Sequence, residues 1–133
     1  MSAKAAAKTN GRGVRKLLII DDDRELCEEL ADVFKDKGYK PEIACDPLEG
    51  LGMLKKCAYH ALILDFKMPH ATGIDVLYML KEAGIKTNTL MITGRPHIEK
   101  MLEENGLRAM VRGVLSKPID VEKMMKMLDE IKG

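Results

Sequence analysis

The chain of 133 residues is 46% apolar and 32% charged, which suffices for one domain with a full core and a solvated surface but not for two domains. The formal net charge of +1 gives no reason to expect nucleic-acid binding. No apolar run approaches the roughly 18 residues that a membrane span requires, and the N-terminus lacks the apolar centre of a signal peptide. We therefore predict a cytoplasmic protein that binds neither a membrane nor nucleic acid directly.

The basic residues are unevenly distributed. Residues 1–16 contain five of them and no acid, so these 16 residues carry +5 and the remaining residues carry a net charge of −4. The Ala, Lys, Gly and Asn content of this segment predicts a flexible basic tail over residues 1–15. One globular domain is predicted to follow over residues 16–133.

Strand and helix patterns alternate from residue 16 onwards. The predicted strands are short apolar runs without a helical period, and the predicted helices carry apolar side chains at helical spacing or begin with capping residues. We predict strands over residues 16–21, 40–44 (a weak strand), 60–66, 87–93 and 112–116. The helices between them are predicted over residues 24–38, from Pro47 to about Cys57, from Thr72 to Ala83 and from Pro96 to Asn105. A last helix carries an apolar stripe at Val121, Met124, Met125, Leu128 and Ile131.

The cysteines Cys27, Cys45 and Cys57 are scattered and have no CxxC spacing. An odd, scattered set in a domain of ordinary size fits a reducing compartment. We predict free thiols that behave as small apolar residues in or near the core. The three histidines lack metal-ligand spacing and are predicted to be structural or exposed.

Five repeats of a strand followed by a helix predict an α/β fold with a parallel sheet and helices on both faces. Right-handed crossovers leave few topologies, of which we favour the doubly wound, flavodoxin-like strand order 2-1-3-4-5. The ligand site of this fold lies at the carboxyl ends of strands 1 and 3, where the order reverses. We therefore expect the acids that end these two strands to meet there: Asp21, Asp22, Asp23 and Asp65.

Several carboxylates in one crevice repel one another and either raise their pKa values or bind a cation. An acid-rich oxygen site suits Mg²⁺, or Mn²⁺, better than zinc. Thr93 ends the fourth predicted strand and Lys117 follows the fifth, which adds a hydroxyl and an ammonium to the same edge of the sheet. A cation, an ammonium and a hydroxyl around one carboxylate are what a phosphoryl group on that carboxylate requires.

The segments "LLIIDDD", "LDFKMPHATG", "MITG" and "LSKPI" occur in this order at the predicted strand ends. With them the chain resembles, from about residue 16 to residue 132, the receiver domain of bacterial two-component response regulators. The resemblance implies that Asp65 is the phosphoacceptor of a Mg²⁺-dependent reaction. It also implies that Thr93 is the switch hydroxyl, that Lys117 contacts the phosphoryl group, and that a cis peptide bond precedes Pro118.

The resemblance further implies the metal ligands: Asp22, Asp65 and the backbone carbonyl of Lys67 directly, and Asp21 through water. The side chains of Lys67 and Arg95 occupy the places that flank the phosphoryl group. We expect them either to shield an acylphosphate from water or to point into solvent and pair with nearby acids. Val114 stands where the family has a Tyr or Phe, so we expect coupling to the output surface to depend on Thr93.

The implied function is that of a signalling switch, not an enzyme, although it would assist its own phosphorylation and dephosphorylation. Its partners would be a histidine kinase or a histidine phosphotransfer protein, and an output protein or missing output domain that reads the surface of helix 4, strand 5 and helix 5. We expect a monomer or a weak, phosphorylation-dependent dimer. A receiver-like scaffold that binds without phosphorylation is the alternative. An aspartyl phosphohydrolase is disfavoured because Lys67 stands where such enzymes need a second acid.

Overall fold

A parallel sheet of five strands forms the centre of the computed structural model, which describes residues 14–132. Residues 1–13 of the predicted tail therefore lie outside the described part of the chain. The strands are β1 (Lys16–Ile20), β2 (Lys40–Ala44), β3 (Ala61–Asp65), β4 (Thr89–Thr93) and β5 (Val111–Ser116). Their order in the sheet is β2-β1-β3-β4-β5, and all neighbours pair in parallel, which confirms the predicted topology.

Five α-helices connect the strands and cover both faces of the sheet. Their bounds are α1 (Arg24–Asp36), α2 (Pro47–Lys56), α3 (Gly73–Ala83), α4 (Ile98–Glu104) and α5 (Val121–Glu130). Two-residue strands at Lys67–Met68 and Ala71–Thr72 form a small antiparallel hairpin between β3 and α3. A short 3₁₀ helix at Arg108–Met110 precedes β5.

Successive residues of the central strands supply two separate hydrophobic clusters. In β1, Leu18 and Ile20 belong to the cluster under α2, α3 and α4, whereas Leu17 and Ile19 belong to the cluster under α1 and α5. This alternation follows from the two-residue period of a strand. Because both faces of β1 and β3 are covered, these strands are apolar at nearly every position, which is why their sequences show no period.

Side-chain caps define the starts of most helices. The Asp23 carboxylate accepts a hydrogen bond from the N–H of Leu26 at the start of α1. Thr72 and Asp75 form a reciprocal capping box at the start of α3, as their spacing predicts. Helix α3 ends at Gly84, whose φ of +69° lies in the left-handed region that favours glycine.

Two predictions about the helices were wrong, one on the start of a helix and one on the burial of a side chain. The fourth helix begins at Ile98 and not at Pro96, because the chain bends after Thr93 and His97 adopts a left-handed φ of +65°. Val121 was predicted in the apolar stripe of α5, but it occupies the first helical position and is 37% exposed. Ile131 is buried as predicted, although it lies just beyond the end of the helix.

The cysteines divide into three environments. Cys27 is buried against β1, Cys45 is half-buried and Cys57 is exposed after α2. The prediction of core thiols was therefore wrong for Cys57. This residue is the C-cap of α2 and does not lie on the buried face of the helix. Within residues 14–132 no helix is long and apolar enough to cross a membrane.

Two glycines in α2 have different surroundings. A Cβ atom added at Gly50 would collide with the buried side chain of Ile20 and would lie 3.5 Å from the Cβ of Ala44. A Cβ added at Gly52 would meet no atom within 4 Å. The absence of a side chain at Gly50 therefore lets α2 approach the sheet closely, whereas at Gly52 it has no packing role.

We expect Gly50→Ala to lower the free energy of unfolding by about 1–3 kcal/mol, because Ile20 is fully buried and cannot move aside without strain. The matched variant Gly52→Ala should instead raise the free energy of unfolding by up to about 1 kcal/mol through helix propensity. Urea denaturation of both variants measures the two effects. Equal shifts in the two variants would contradict the close packing of α2.

Candidate functional site

Three carboxylates meet at the carboxyl ends of β1 and β3. One carboxylate oxygen from each of Asp21, Asp22 and Asp65 lies within 4.8 Å of the other two. Asp21 and Asp65 are 3% and 4% exposed, and Asp22 is exposed. Because β1 and β3 are adjacent parallel strands, their ends bring together residues that are more than 40 positions apart in the sequence.

Asp65 ends β3 in a largely dry environment. Burial raises the pKa of Asp65, and the Lys117 ammonium, whose Nζ lies 2.9 Å from Asp65 Oδ1, offsets part of this effect. The backbone N–H of Lys67 also donates a hydrogen bond to the Asp65 carboxylate and favours its ionised form. Asp65 is thus a buried carboxylate that is partly neutralised by one cation.

Asp21 is the second buried acid of the site. Its carboxylate accepts a hydrogen bond from the backbone N–H of Asp23 over 3.0 Å, and its own N–H donates to the carbonyl of Ala44. Burial raises the pKa of Asp21 from 3.8 to about 6, and the negative charges of Asp65 and Asp22 add to this rise. Lys117 lowers this pKa but does not cancel the cost of burial.

Lys117 follows β5 and reaches back across the edge of the sheet. Burial lowers the pKa of its ammonium, but the hydrogen bond and negative charge of Asp65 outweigh burial, and the net result is a raised pKa. The backbone N–H of Lys117 donates to the carbonyl of Thr93, which joins the ends of β4 and β5. The peptide bond between Lys117 and Pro118 is cis.

Thr93 ends β4 and is 3% exposed. Its hydroxyl oxygen accepts a hydrogen bond from the backbone N–H of Arg95 over 2.9 Å, which leaves the hydroxyl proton available to another acceptor. The Arg95 guanidinium lies 5.8 Å from the centre of the ring of Phe66, which directly follows Asp65 in the sequence. Arg95 therefore lies beside the segment that follows Asp65.

The donor set suits a hard divalent cation. Three carboxylates in one cluster, two of them buried and repelling each other, are what an oxygen-coordinated ion such as Mg²⁺ or Mn²⁺ neutralises. No Cys or His belongs to this cluster, which disfavours a softer metal. The residues present thus fit the metal that the sequence predicts.

The structure brings together the side chains of Asp21, Asp22, Asp65 and Lys117, with Thr93 at the end of the neighbouring strand. The Lys67 side chain is exposed, and its backbone N–H is the group that contacts Asp65. Asp23, which follows the other two acids at this edge, caps α1, as expected of an acid just before a helix. The predicted roles of these residues remain proposals.

Sequence patterns did not reveal the support behind Asp65. The carbonyl of Phe66 accepts a hydrogen bond of 2.6 Å from the N–H of Gly73, which closes the hairpin between β3 and α3. A Cβ at Gly73 would lie 2.7 Å from Met91 Cε and 3.3 Å from Phe66 Cα, so glycine permits this close approach. The sequence signal for this contact was the glycine at the first position of a capped helix, Gly73. Hydrophobic periodicity does not report a contact of this kind.

Comparisons with known proteins agree with this geometry. The sequence model described as "Response regulator receiver domain" matches residues 17–129. The chain belongs to the receiver domains of response regulators. This receiver domain is therefore a component of two-component signalling, and its fold and acidic pocket are those expected of the family.

Individual relatives are more distant. The receiver domain is 32% identical over 110 residues to the response regulator MprA of Mycobacterium avium, which covers 83% of this chain and 47% of MprA. It is 26% identical to the transcriptional regulatory protein DltR of Streptococcus agalactiae, which covers 83% of this chain and 48% of DltR. The chain thus spans about half the length of the curated relatives that it matches.

A solved structure supports the same assignment. The chemotaxis response regulator CheY4 of Vibrio cholerae superimposes with a TM-score of 0.76 and 27% sequence identity. The match covers 90% of this chain and 99% of CheY4. The receiver domain is therefore similar in fold to a solved protein of nearly the same extent.

The buried carboxylate of Asp21 should destabilise the metal-free receiver domain above its folded-state pKa. Because the folded-state pKa is raised, ionisation of Asp21 lowers the free energy of unfolding. This loss of stability is absent below pH 3.8, grows as pH rises, and is complete above about pH 6. With EDTA present, we expect Asp21→Asn to raise the free energy of unfolding at pH 7.5 by about 1–3 kcal/mol. Little difference from the parent is expected below pH 4, which urea denaturation across this pH range measures.

Asp32→Asn is the matched control for this prediction, because Asp32 is an exposed carboxylate on α1. This variant should leave the free energy of unfolding nearly unchanged across the same pH range. An Asp21→Asn effect that is independent of pH would contradict the assignment of the penalty to the ionised carboxylate.

Proposed function

We propose that this receiver domain is a phosphorylation switch in which Asp65 accepts a phosphoryl group from a histidine kinase or a histidine phosphotransfer protein. The observation that carries the proposal is the environment of Asp65. Its carboxylate is buried, lies 2.9 Å from the Lys117 ammonium, and shares a cluster with Asp21 and Asp22. Such a group can act as a nucleophile on a phosphorus centre whose charge is neutralised on several sides.

The transfer requires a carboxylate oxygen of Asp65 to attack the phosphorus atom as the bond to the donor's leaving group breaks. The product is an acylphosphate on Asp65, and the leaving group takes its proton from solvent. Lys117 is placed to neutralise phosphoryl oxygens that develop negative charge next to Asp65. The Thr93 hydroxyl, whose oxygen already accepts from Arg95 N–H, retains a proton to donate to one of them.

Mg²⁺, or Mn²⁺ in its place, would be held by Asp22 and Asp65 directly and by Asp21 through water, together with the Lys67 carbonyl. When bound, the ion supplies positive charge that favours the approach of an anionic donor to an acidic pocket. The support for this assignment is the three-carboxylate cluster, in which burial first and the charges of Asp65 and Asp22 second raise the pKa of Asp21.

The output of the switch is proposed to be a change on the surface of α4, β5 and α5, which a partner protein or a further domain would read. The chain matches only about half of DltR and MprA, and DltR is described as a transcriptional regulatory protein. A domain that acts on transcription is thus one possible output. Val114 in β5, which stands where the family has a Tyr or Phe, is half-buried against the cluster under α2, α3 and α4. We therefore propose that Thr93, and not Val114, starts the change.

We expect the receiver domain to become phosphorylated on Asp65 when it is incubated with Mg²⁺ and a small phosphodonor such as phosphoramidate. Asp65→Asn should abolish this because the amide cannot act as the nucleophile, and EDTA should abolish it in the parent. Intact-protein mass spectrometry under mild conditions measures the added phosphoryl group. Asp32→Asn, which alters an exposed carboxylate on α1, should behave like the parent.

Uptake of phosphate by Asp65→Asn at the parent rate would refute the assignment. A parent that stays unmodified with every donor, yet retains Mg²⁺ binding, would favour the alternative of a scaffold that binds its partner without phosphorylation. The two outcomes are separable because Mg²⁺ binding can be followed independently by the rise in thermal stability.

We propose that Arg95 lengthens the lifetime of the acylphosphate. Its guanidinium lies over Phe66, next to Asp65, and neither Arg95 nor Lys67 forms an ion pair within residues 14–132. This arrangement favours shielding of the phosphoryl group over pairing with nearby acids. Arg also suits bidentate contact with a phosphoryl group and cannot act as a base at neutral pH.

We expect phosphorylated Arg95→Ala to lose its phosphoryl group several-fold faster than the parent, because water would gain access to the phosphorus atom. Lys81→Ala, which removes an exposed cation from α3, serves as the control and should leave the half-life unchanged. The measurement is the decay of the phosphorylated mass after removal of the donor. An unchanged or longer half-life in Arg95→Ala would rule out shielding by this side chain.

A further inference from the structure

A cavity of about 290 Å³ opens at the edge of the sheet opposite to the acidic site. It lies between the end of α3 and the start of β4 and β5, and Thr89, the first residue of β4, forms part of its wall. Thr93, at the other end of this strand, is about 13 Å away at about 3.3 Å per residue. The cavity is therefore separate from the groups that surround Asp65.

The inner wall of the cavity is apolar. Leu80 is fully buried, and Ile85 and Met110 are half-buried beside it. Together with Ala109 these side chains form a surface that an aliphatic or small aromatic group could cover. The volume lies at the lower end of the range for small-molecule sites, so the ligand would be smaller than a typical cofactor.

The rim of the cavity carries positive charge. Its lining includes Lys86 and Arg112 and no acidic residue. Arg112 Nε donates to Asn88 Oδ1 over 3.0 Å, and Asn88 Nδ2 donates to the carbonyl of His60 over 3.2 Å. Arg112 is thereby held at the rim through its Nε, while its terminal guanidinium nitrogens remain available to an anion.

Thr87 also lines the cavity, but its hydroxyl oxygen is buried and has no hydrogen-bond partner among the described residues, whereas the neighbouring Thr89 hydroxyl donates to the Thr87 carbonyl. Because no solvent reaches this oxygen, a ligand in the cavity would not contact it. The cavity thus combines an apolar wall with two cations.

We propose that this cavity is a binding site for a small amphipathic carboxylate, in which the apolar body packs on Ile85, Ala109 and Met110 and the carboxylate is held by Lys86 and Arg112. The match of charge favours an anion over a neutral or cationic ligand of the same shape. Because the site lies at the opposite end of β4 from Thr93, its occupation does not require phosphorylation of Asp65.

The test is a titration of the full chain with hexanoate, followed by the amide signals of Thr87, Thr89 and Arg112 in nitrogen-15 correlation spectra. We expect saturable shifts of these signals with a Kd of about 1 mM, as befits a ligand of this size. Hexan-1-ol should bind about fivefold more weakly, because it lacks the charge that meets Lys86 and Arg112. Hexylammonium should not bind at this site.

Lys86→Gln should weaken hexanoate binding by about threefold, whereas Lys100→Gln, which alters an exposed lysine on α4, should leave it unchanged. Asp65→Asn should bind hexanoate like the parent, which separates this inference from the proposed phosphorylation. Non-saturable shifts, shifts that spare the cavity residues, or equal binding of hexanoate and hexan-1-ol would overturn the proposal.

Discussion

The chemistry of this receiver domain depends on the burial of two carboxylates, Asp21 and Asp65, at one point of the sheet. Each would be more stable in water, and their proximity adds repulsion to the cost of burial. The Lys117 ammonium relieves only part of this cost, because its Nζ forms an ion pair with Asp65 and acts on Asp21 at longer range. The site therefore retains unbalanced negative charge, which favours the binding of a cation.

The rest of the fold positions these charged groups at one edge of the sheet and surrounds the sheet with apolar side chains. Parallel pairing aligns the ends of β1, β3, β4 and β5, so that every strand contributes its last residues to the same edge. The two hydrophobic clusters cover both faces of the sheet. Close contacts at Gly50 and Gly73 hold α2 and the start of α3 against the strands.

The two ends of β4 have different chemistry. At one end, Thr93 ends the strand next to β3, which carries Asp65, while at the other end Thr89 borders an apolar cavity rimmed by Lys86 and Arg112. The sheet thus separates an acidic pocket, which attracts a cation, from a basic rim, which attracts an anion. Strand β4, which runs from one to the other, is buried along its whole length.

The sequence by itself determined the strand order, the helix caps and the acidic residues of the site. Apolar runs that end in Asp21 and Asp65 report both the burial of their strands and the point at which each strand meets solvent, since parallel strands end at a common edge. Local capping chemistry also predicted α3, because the Thr72 hydroxyl and the Asp75 carboxylate bond to each other and to each other's backbone N–H within four residues.

Only the tertiary structure decided the details that depend on distant contacts. The position of Arg95 over Phe66 depends on a neighbour far along the chain, whereas the exposure of Cys57 and Val121 and the start of α4 at Ile98 depend on where each helix ends or begins. The cavity beside Thr89 is likewise formed by α3, β4 and β5 together, so no single segment carries a signal for it. Periodicity reports which face of an element is buried, but the shape left between elements is set by how they pack.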